Sequence, residues 1–342
     1  MSDFIPTQLR FAAIAGFSVR ADFEGGAVSS NFGALVLHGV DRQTGLIARL
    51  ASAIEDRRHP SYINHSLTEL LRQRIFQSAC GYADGNDANS LRHDPVFKLA
   101  AGRAPLDTDN ALASGPMFSR LENSLSRKDI YRLARAFVDA FIASYASAPA
   151  AIVLDMDHSE DRTHGQQELS FYNHHYGSHC YLPLFLFEGL SGKFITAVLR
   201  PGKRPTGREN AAIIARVVRR LRQAWPDTHI VLRGDGHFSN PELMALCEGD
   251  EHMDFIFGLP GNKVLTPKAQ PLLAKARALR AQQCERARLE GQAEPAATRL
   301  YDEVVYQAAS WAKACRVVLK AEVMSFGDNP RFVVTSLTDP TP

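Results

Sequence analysis

Carboxylates stand at the ends of two short apolar runs, Ala151-Ile-Val-Leu-Asp155-Met-Asp157-His158-Ser159 and Ile230-Val-Leu-Arg-Gly-Asp235-Gly236-His237. A β-strand holds its backbone stiffly, so an acid at its last residue leaves the sheet at a fixed place. Two such acids on neighbouring strands make half a cage for a hard, oxygen-loving divalent cation, and such cations drive phosphoryl chemistry. Asp155 and Asp157 lie two residues apart, hence on one strand face, and both are candidates beside Asp235 for catalytic and metal-ligating roles. Charges that close repel, and a cation relieves the repulsion. The plainer role for either member of the pair is to cap a turn.

Other chemistries fit less of the chain. An apolar strand followed by Asp-x-Asp also resembles the nucleophile loop of haloacid-dehalogenase-type phosphatases, and Gly234-Asp235-Gly236 resembles their metal segment. That segment carries an acid four residues after its Asp, where Ser239 stands here, and the nucleophile strand should lead into a helical crossover. His174, His175, His179 and Cys180 have the residue types of a zinc site without a standard spacing, and read as core or strand-edge residues among Tyr172, Tyr176 and Tyr181. No P-loop, G-x-G-x-x-G or G-x-S-x-G element is present.

The basic residues suggest the substrate. Arg216, Arg219 and Arg220 share one helix, Lys203 and Arg204 lie in the loop before it, and Arg72, Arg74 and Arg92 stand upstream. Each could contact a phosphate, and each alone reads equally as a solvated helix face. Their number beside a carboxylate site points to a polyanionic substrate. Net charge is only +2, so no global field recruits it.

The elements that must position these residues change character near Pro149. Before it the chain is mostly helical. Leu67, Leu70, Leu71, Ile75 and Phe76 recur at helical steps behind the capping pair Ser66 and Glu69, a helix starts near Leu91, and another spans 127–146. Turn signals stand at Glu24-Gly25-Gly26 and His59-Pro60. After Pro149, strands are expected at 151–156, 181–187, 194–199, 229–234 and 253–257, with helices from Thr206 to about Ala224 and from Ser239 to about Cys247. Three strands without an intervening helix form an antiparallel meander, and later strands that arrive through helices are parallel. The resulting α/β order, β-β-β-α-β-α-β, is that of RNase H-like mixed sheets, whose first and fourth strands are neighbours. That would bring Asp157 to Asp235. A charged helix at 267–290 and strands near 301–308, 314–323 and 331–337 follow. Three regions are thus expected: 1–149, mostly helical; 150–262, carrying the acid-bearing strands; and 263–342, a charged helix with a β-rich segment.

Composition sets the context. With 342 residues, 45% hydrophobic and 22% charged, the chain reads as globular. Neither a membrane-spanning run nor a signal-peptide pattern is present, and the five cysteines are dispersed, so a cytoplasmic protein with reduced thiols is expected.

At this point the motifs become recognisable. Residues 65–94, HSLTELLRQRIFQSACGYADGNDANSLRHD, resemble the N-terminal signature of bacterial DDE transposases of the IS thirteen-eighty group. Asn31-Phe-Gly-Ala-Leu35, Leu46 to Arg57, Phe118-Ser-Arg-Leu-Glu122-Asn123, the Leu154-Asp-Met-Asp157 segment and His164-Gly-Gln-Gln-Glu168 fit the same pattern. So do the run from Tyr176 to Leu184, Leu199-Arg-Pro-Gly202, the Asp235 strand and Phe257-Gly-Leu-Pro-Gly261-Asn262. The resemblance implies an RNase H-like domain with an Asp-Asp-Glu triad, two Mg²⁺ or Mn²⁺ ions, and cut-and-paste movement of an insertion sequence. Homo-oligomers would act on terminal inverted repeats and target DNA, with residues 60–95 recognising the ends. Its first acid falls on Asp157, with Asp155 the close alternative, and its second on Asp235. The third, a helical Glu, is expected beyond the strands that end near Leu337. Glu303 and Glu322 lie in the strand-rich insertion instead. The chain therefore looks cut short at its C-terminus, with weak or absent strand transfer expected; a non-catalytic DNA-binding remnant is the alternative.

Overall fold

The computed structural model describes residues 8–22, 30–105, 107 and 109–338. The turn signal at Glu24-Gly25-Gly26 lies outside them. The chain divides into two units, Met1–Ala140 and Phe141–Pro342.

The first unit pairs β1 (Gln8–Arg10) with β2 (Arg20–Asp22) and is otherwise helical. Its helices are α1 (Gly33–Thr44), α2 (Leu46–Ala53), α3 (Leu67–Ala79), α4 (Asp87–Leu91), α5 (Pro95–Ala100) and α6 (Gly115–Ser124); α7 (Arg127–Ala143) begins here. Local chemistry sets the starts. At α3 the Ser66 hydroxyl accepts from the Glu69 N–H at 3.2 Å, while the Glu69 carboxylate accepts from the Ser66 N–H at 2.7 Å. This reciprocal cap satisfies two amides that the first helical turn leaves unpaired. Asp94 caps α5 by accepting from Val96 and Phe97, both at 2.9 Å. Ala34, Leu35, Ile47, Phe76, Phe97 and Leu112 form one core cluster, and Leu70, Ala88, Ala113 and Phe118 a second.

The second unit is built on an eight-stranded mixed sheet. Its strands in chain order are β3 (Ala151–His158), β7 (Leu184–Glu188), β8 (Phe194–Val198), β9 (His229–Gly234), β10 (Met253–Leu259), β11 (Ala297–Tyr306), β12 (Cys315–Met324) and β13 (Gly327–Thr335). Three short strands, β4 (Asp161–Arg162), β5 (Phe171–Asn173) and β6 (Ser178–Tyr181), form a separate sheet between β3 and β7. The large sheet runs β11-β12-β13-β10-β9-β3-β7-β8. Only β3/β9 and β9/β10 are parallel; the chain enters β9 from β8 through α8 (Gly207–Ala224) and β10 from β9 through α9 (Pro241–Glu248). The helix α10 (Leu265–Leu289) links β10 to the antiparallel extension β11–β13.

Alternation explains the sheet. Ile152, Leu154 and Met156 are buried on one face of β3, as are Ile230 and Leu232 on β9 and Phe255 and Phe257 on β10. The intervening residues of β3, Asp155 and Asp157 among them, occupy the other face. Along α8 the buried positions are Asn210, Ile214, Val217, Val218 and Leu221, a stripe at three- and four-residue steps.

One expected strand, 181–187, is in fact two. Tyr181 pairs with Asp161 in the small sheet, whereas Leu184 pairs with His158 in the large one. Pro183 separates them because it has no N–H to donate to a ladder. Gly202 passes so close to this segment that a Cβ there would lie 2.0 Å from the Cys180 carbonyl oxygen. Among the described residues, no helix is long and apolar enough to cross a membrane.

Candidate metal centre

The last paired residues of the parallel β3/β9 ladder are Met156 and Gly234. The next residue on each strand is an acid, Asp157 and Asp235. Adjacent strands lie about 4.8 Å apart, so the two carboxylates leave the sheet side by side. Asp157 is open to solvent, yet its carboxyl is held above the usual range. Partial desolvation by its surroundings contributes most, and the charge of Asp235 comes next. Asp235 accepts from the His237 backbone N–H at 2.9 Å, and its other oxygen lies 3.1 Å from His237 Nδ1. A site that is already short of positive charge, with two acids in mutual repulsion, fits a cation.

Asp155 is placed differently. Directly opposite it in the register stands Arg233, whose Nε and Nη2 each donate to one carboxylate oxygen at 2.5 Å. Both oxygens are therefore engaged in a bidentate pair. Gly189 closes over the pair: a Cβ there would meet an Asp155 oxygen at 2.7 Å and Arg233 Nη2 at 2.8 Å. In the sequence Arg233 reads only as part of an Arg-Gly-Asp triplet; aligning the two strands in parallel register would have revealed its partner.

Behind the acids lies an aromatic contact that local sequence does not signal. The His158 ring stacks on Phe238, with centroids 5.0 Å apart and planes 9° from parallel. Phe238 is fully buried. Burial, then the charge of Arg200, pushes the His158 imidazole down to about 4, so it is neutral at physiological pH. Asn210 lies beside it, fully buried, but neither ring nitrogen nor either Asn210 amide atom makes a hydrogen bond of ordinary geometry.

Tyr176, at the tip between β5 and β6, lies within range of the acids' charge. Its phenol is pushed up by burial first and then by the charges of Asp157, Glu160, Cys180 and Asp235. The tip is tied to the end of β3 by Ser178, whose hydroxyl donates to Glu160. His179 lies exposed on β6 and Cys180 buried beside it. Among the described residues, no three His, Cys, Asp or Glu side chains converge as a group able to hold a metal, so the centre offers a carboxylate pair.

The basic residues fall into two sets. Arg72 pairs with Asp41 at 3.4 Å and Arg74 with Glu122 at 3.2 Å, both within the first unit. Arg92, at the end of α4, is half-buried. Lys203, Arg204, Arg216 and Arg219 are exposed, with Lys203 Nζ 4.2 Å from the Phe171 ring centroid; Arg220 is half-buried. The two glutamates of the sheet extension are engaged elsewhere. Glu303 pairs with Arg316 at 2.6 Å. Glu322 accepts from Arg299 at 2.6 Å, Lys320 at 3.1 Å and Asn329 at 2.9 Å, and Arg299 leads in pulling its carboxyl down to about 2.

Comparison with known proteins adds ancestry. The profile of the family described as transposase DDE domain, group 1, matches residues 11–342. No curated protein matches the chain. Among solved structures, it is similar to the piggyBac transposase synaptic complex with hairpin DNA at 11% identity and a TM-score of 0.36, covering 92% of this chain and 63% of that one. It is also similar to the Mos1 strand transfer complex, at 10% identity and a TM-score of 0.22, covering 70% of this chain and 79% of that one. The Mos1 paired-end complex with the left transposon end gives 10% identity and a TM-score of 0.22 over 72% of this chain and 81% of that one.

Proposed function

The chain belongs to the transposase DDE domain group 1 family, and from that premise we propose that Asp157 and Asp235 hold a divalent cation, Mg²⁺ or Mn²⁺, in a site for DNA cleavage and strand transfer. The observation that carries the reading is the parallel register that sets the two acids side by side, with the carboxyl of Asp157 raised partly by the charge of Asp235. The order β8-β7-β3-β9-β10 within the large sheet supports an RNase H-like core. The bidentate Arg233 pair favours Asp157 over Asp155 as the ligand, because both Asp155 oxygens are already bound. The motifs favour an insertion-sequence transposase of the IS thirteen-eighty group.

A bound cation would supply Lewis acidity to a phosphodiester. The chain's own residues would bind and orient the DNA. Exposed Lys203, Arg204, Arg216 and Arg219 are the proposed phosphate contacts, with Arg220 beside them. Arg72, Arg74 and Arg92 take a smaller part, since the first two are held by Asp41 and Glu122. The substrate is double-stranded DNA bearing terminal inverted repeats, with target DNA joined afterwards, and the protein acts as a homo-oligomer on paired ends in the cytoplasm. Glu303 and Glu322 are both engaged within the sheet extension, so the third carboxylate is left unassigned.

The phosphatase alternative loses ground on topology, because β3 leads through the small sheet into antiparallel β7 instead of a helical crossover. The test is a Mg²⁺- or Mn²⁺-dependent cleavage assay on DNA carrying the element's terminal repeats, run with the parent and Asp235→Ala. Metal-dependent nicking that disappears in the variant is the expected result. Full cleavage by Asp235→Ala would remove the site, and a footprint without any nicking by the parent would favour a DNA-binding remnant.

A further inference from the structure

We propose that the stack of His158 on Phe238 is a clamp that sets the separation of Asp157 and Asp235, making the two rings positioning residues of the metal centre. The proposal rests on the metal-centre reading above. It begins from where the backbone stops helping. The β3/β9 ladder ends at Met156 and Gly234, one residue short of each acid, and beyond it β3 remains paired only with β7, through Asp157↔Phe185 and His158↔Leu184. The distance between the two acids is therefore left to side chains.

The stack occupies that gap. His158 directly follows Asp157, and Phe238 closes the turn that begins at Asp235 by donating its N–H to the Asp235 carbonyl at 3.1 Å. The rings meet face to face at 5.0 Å and 9°. Displacing either ring would thus shift the segment carrying one acid relative to the other. Phe238 itself is confined from below: a Cβ on Gly234 would sit 2.6 Å from its ring, so a glycine is needed for the ring to lie where it does. His158 alternates to the face opposite Asp157, and its nitrogens form no hydrogen bonds of ordinary geometry. Its flat ring, and not a directional bond, is what holds the contact.

That last point makes the clamp testable. The full 342-residue chain would be prepared as His158→Phe, His158→Ala, Phe238→Leu and the control Asp157→Asn, with folding checked by circular dichroism. Mn²⁺ affinity is read by isothermal titration, and amide hydrogen exchange at His237 and Phe238 is read in EDTA. Groups that orient a metal ligand typically change affinity by about 10–100-fold, so His158→Ala and Phe238→Leu are expected to lose at least about tenfold while His158→Phe stays near the parent. Exchange at the two amides should quicken in His158→Ala and not in His158→Phe. A His158→Phe variant as impaired as His158→Ala would overturn the clamp, because the ring nitrogens would then carry the role. Parent-like affinity and exchange in His158→Ala would overturn it as well. If Asp157→Asn binds Mn²⁺ like the parent, the metal-centre reading fails instead, and exchange decides the clamp alone: unchanged rates in His158→Ala sink it.

Discussion

Replacing Asp157 and replacing Asp155 should move stability in opposite directions, although the two residues share a strand face. The carboxyl of Asp157 is held above its ordinary value of 3.8. A group so shifted binds its proton more tightly in the folded chain than in the unfolded one. Folding therefore loses stability as pH rises from the ordinary value through the raised one, and at pH 8 the whole penalty is present. Carboxylates roughly 5 Å apart on adjacent strands repel by ~3 kcal/mol at an effective dielectric of 20 and by ~1 kcal/mol in water. The side chain of Asp235 is 55% exposed and Asp157 is open to solvent, so the lower figure applies. Asp157→Asn should then stabilise the metal-free protein by about 1 kcal/mol, or roughly 2–4 °C in melting temperature. Asp155→Asn instead breaks a bidentate pair that is partly exposed, and should destabilise by up to about 1 kcal/mol. The assay is calorimetry in EDTA at pH 8. Mn²⁺ is then added. At about 100 times Kd it contributes ~2.7 kcal/mol to a protein that binds it, and this increment should persist in Asp155→Asn and vanish in Asp157→Asn. A lower metal-free melting point for Asp157→Asn, or loss of the Mn²⁺ increment from Asp155→Asn alone, would refute the reasoning.

Three further outcomes are expected. Gly234→Ala drives a methyl into the Phe238 ring, at 2.6 Å, and should cost about 1–3 kcal/mol in urea unfolding, as overpacked sites do. For DNA binding, replacing Lys203, Arg204, Arg216 or Arg219 by Ala should each lower the slope of log affinity against log salt by about 0.9, whereas Arg72→Ala and Arg74→Ala should leave the slope nearly unchanged. Glu322, with a carboxyl pulled from 4.5 down to about 2, contributes stability that is present above the unfolded value and lost as pH falls from 4.5 through 2. Acid melts of Glu322→Gln should accordingly lose less stability across that interval than those of the parent.

Much of this protein is legible in its sequence, and the reason is locality. The capping pairs at Ser66 and Thr206, the apolar runs at Ile152–Met156 and Ile230–Leu232, and the acids that end them are all written within a few residues of sequence, because hydrogen bonds at helix starts and alternation along strands are short-range effects. The family motifs are likewise contiguous strings. Other decisions belong to contacts between distant segments. Asp155 and Asp157 are indistinguishable as a local pattern, and only the parallel register of β3 with β9 sets Arg233, 78 residues away, against the first and leaves the second facing Asp235. Arg72 and Arg74 look like open phosphate ligands until Asp41 and Glu122 are brought to them by helix packing. The stretch 181–187 looks like one strand until Pro183 divides its partners between two sheets. The sequence states which groups are charged, flat or apolar; which of them remain available depends on what the fold sets within hydrogen-bonding distance, and that is a property of register and packing that no local spacing encodes.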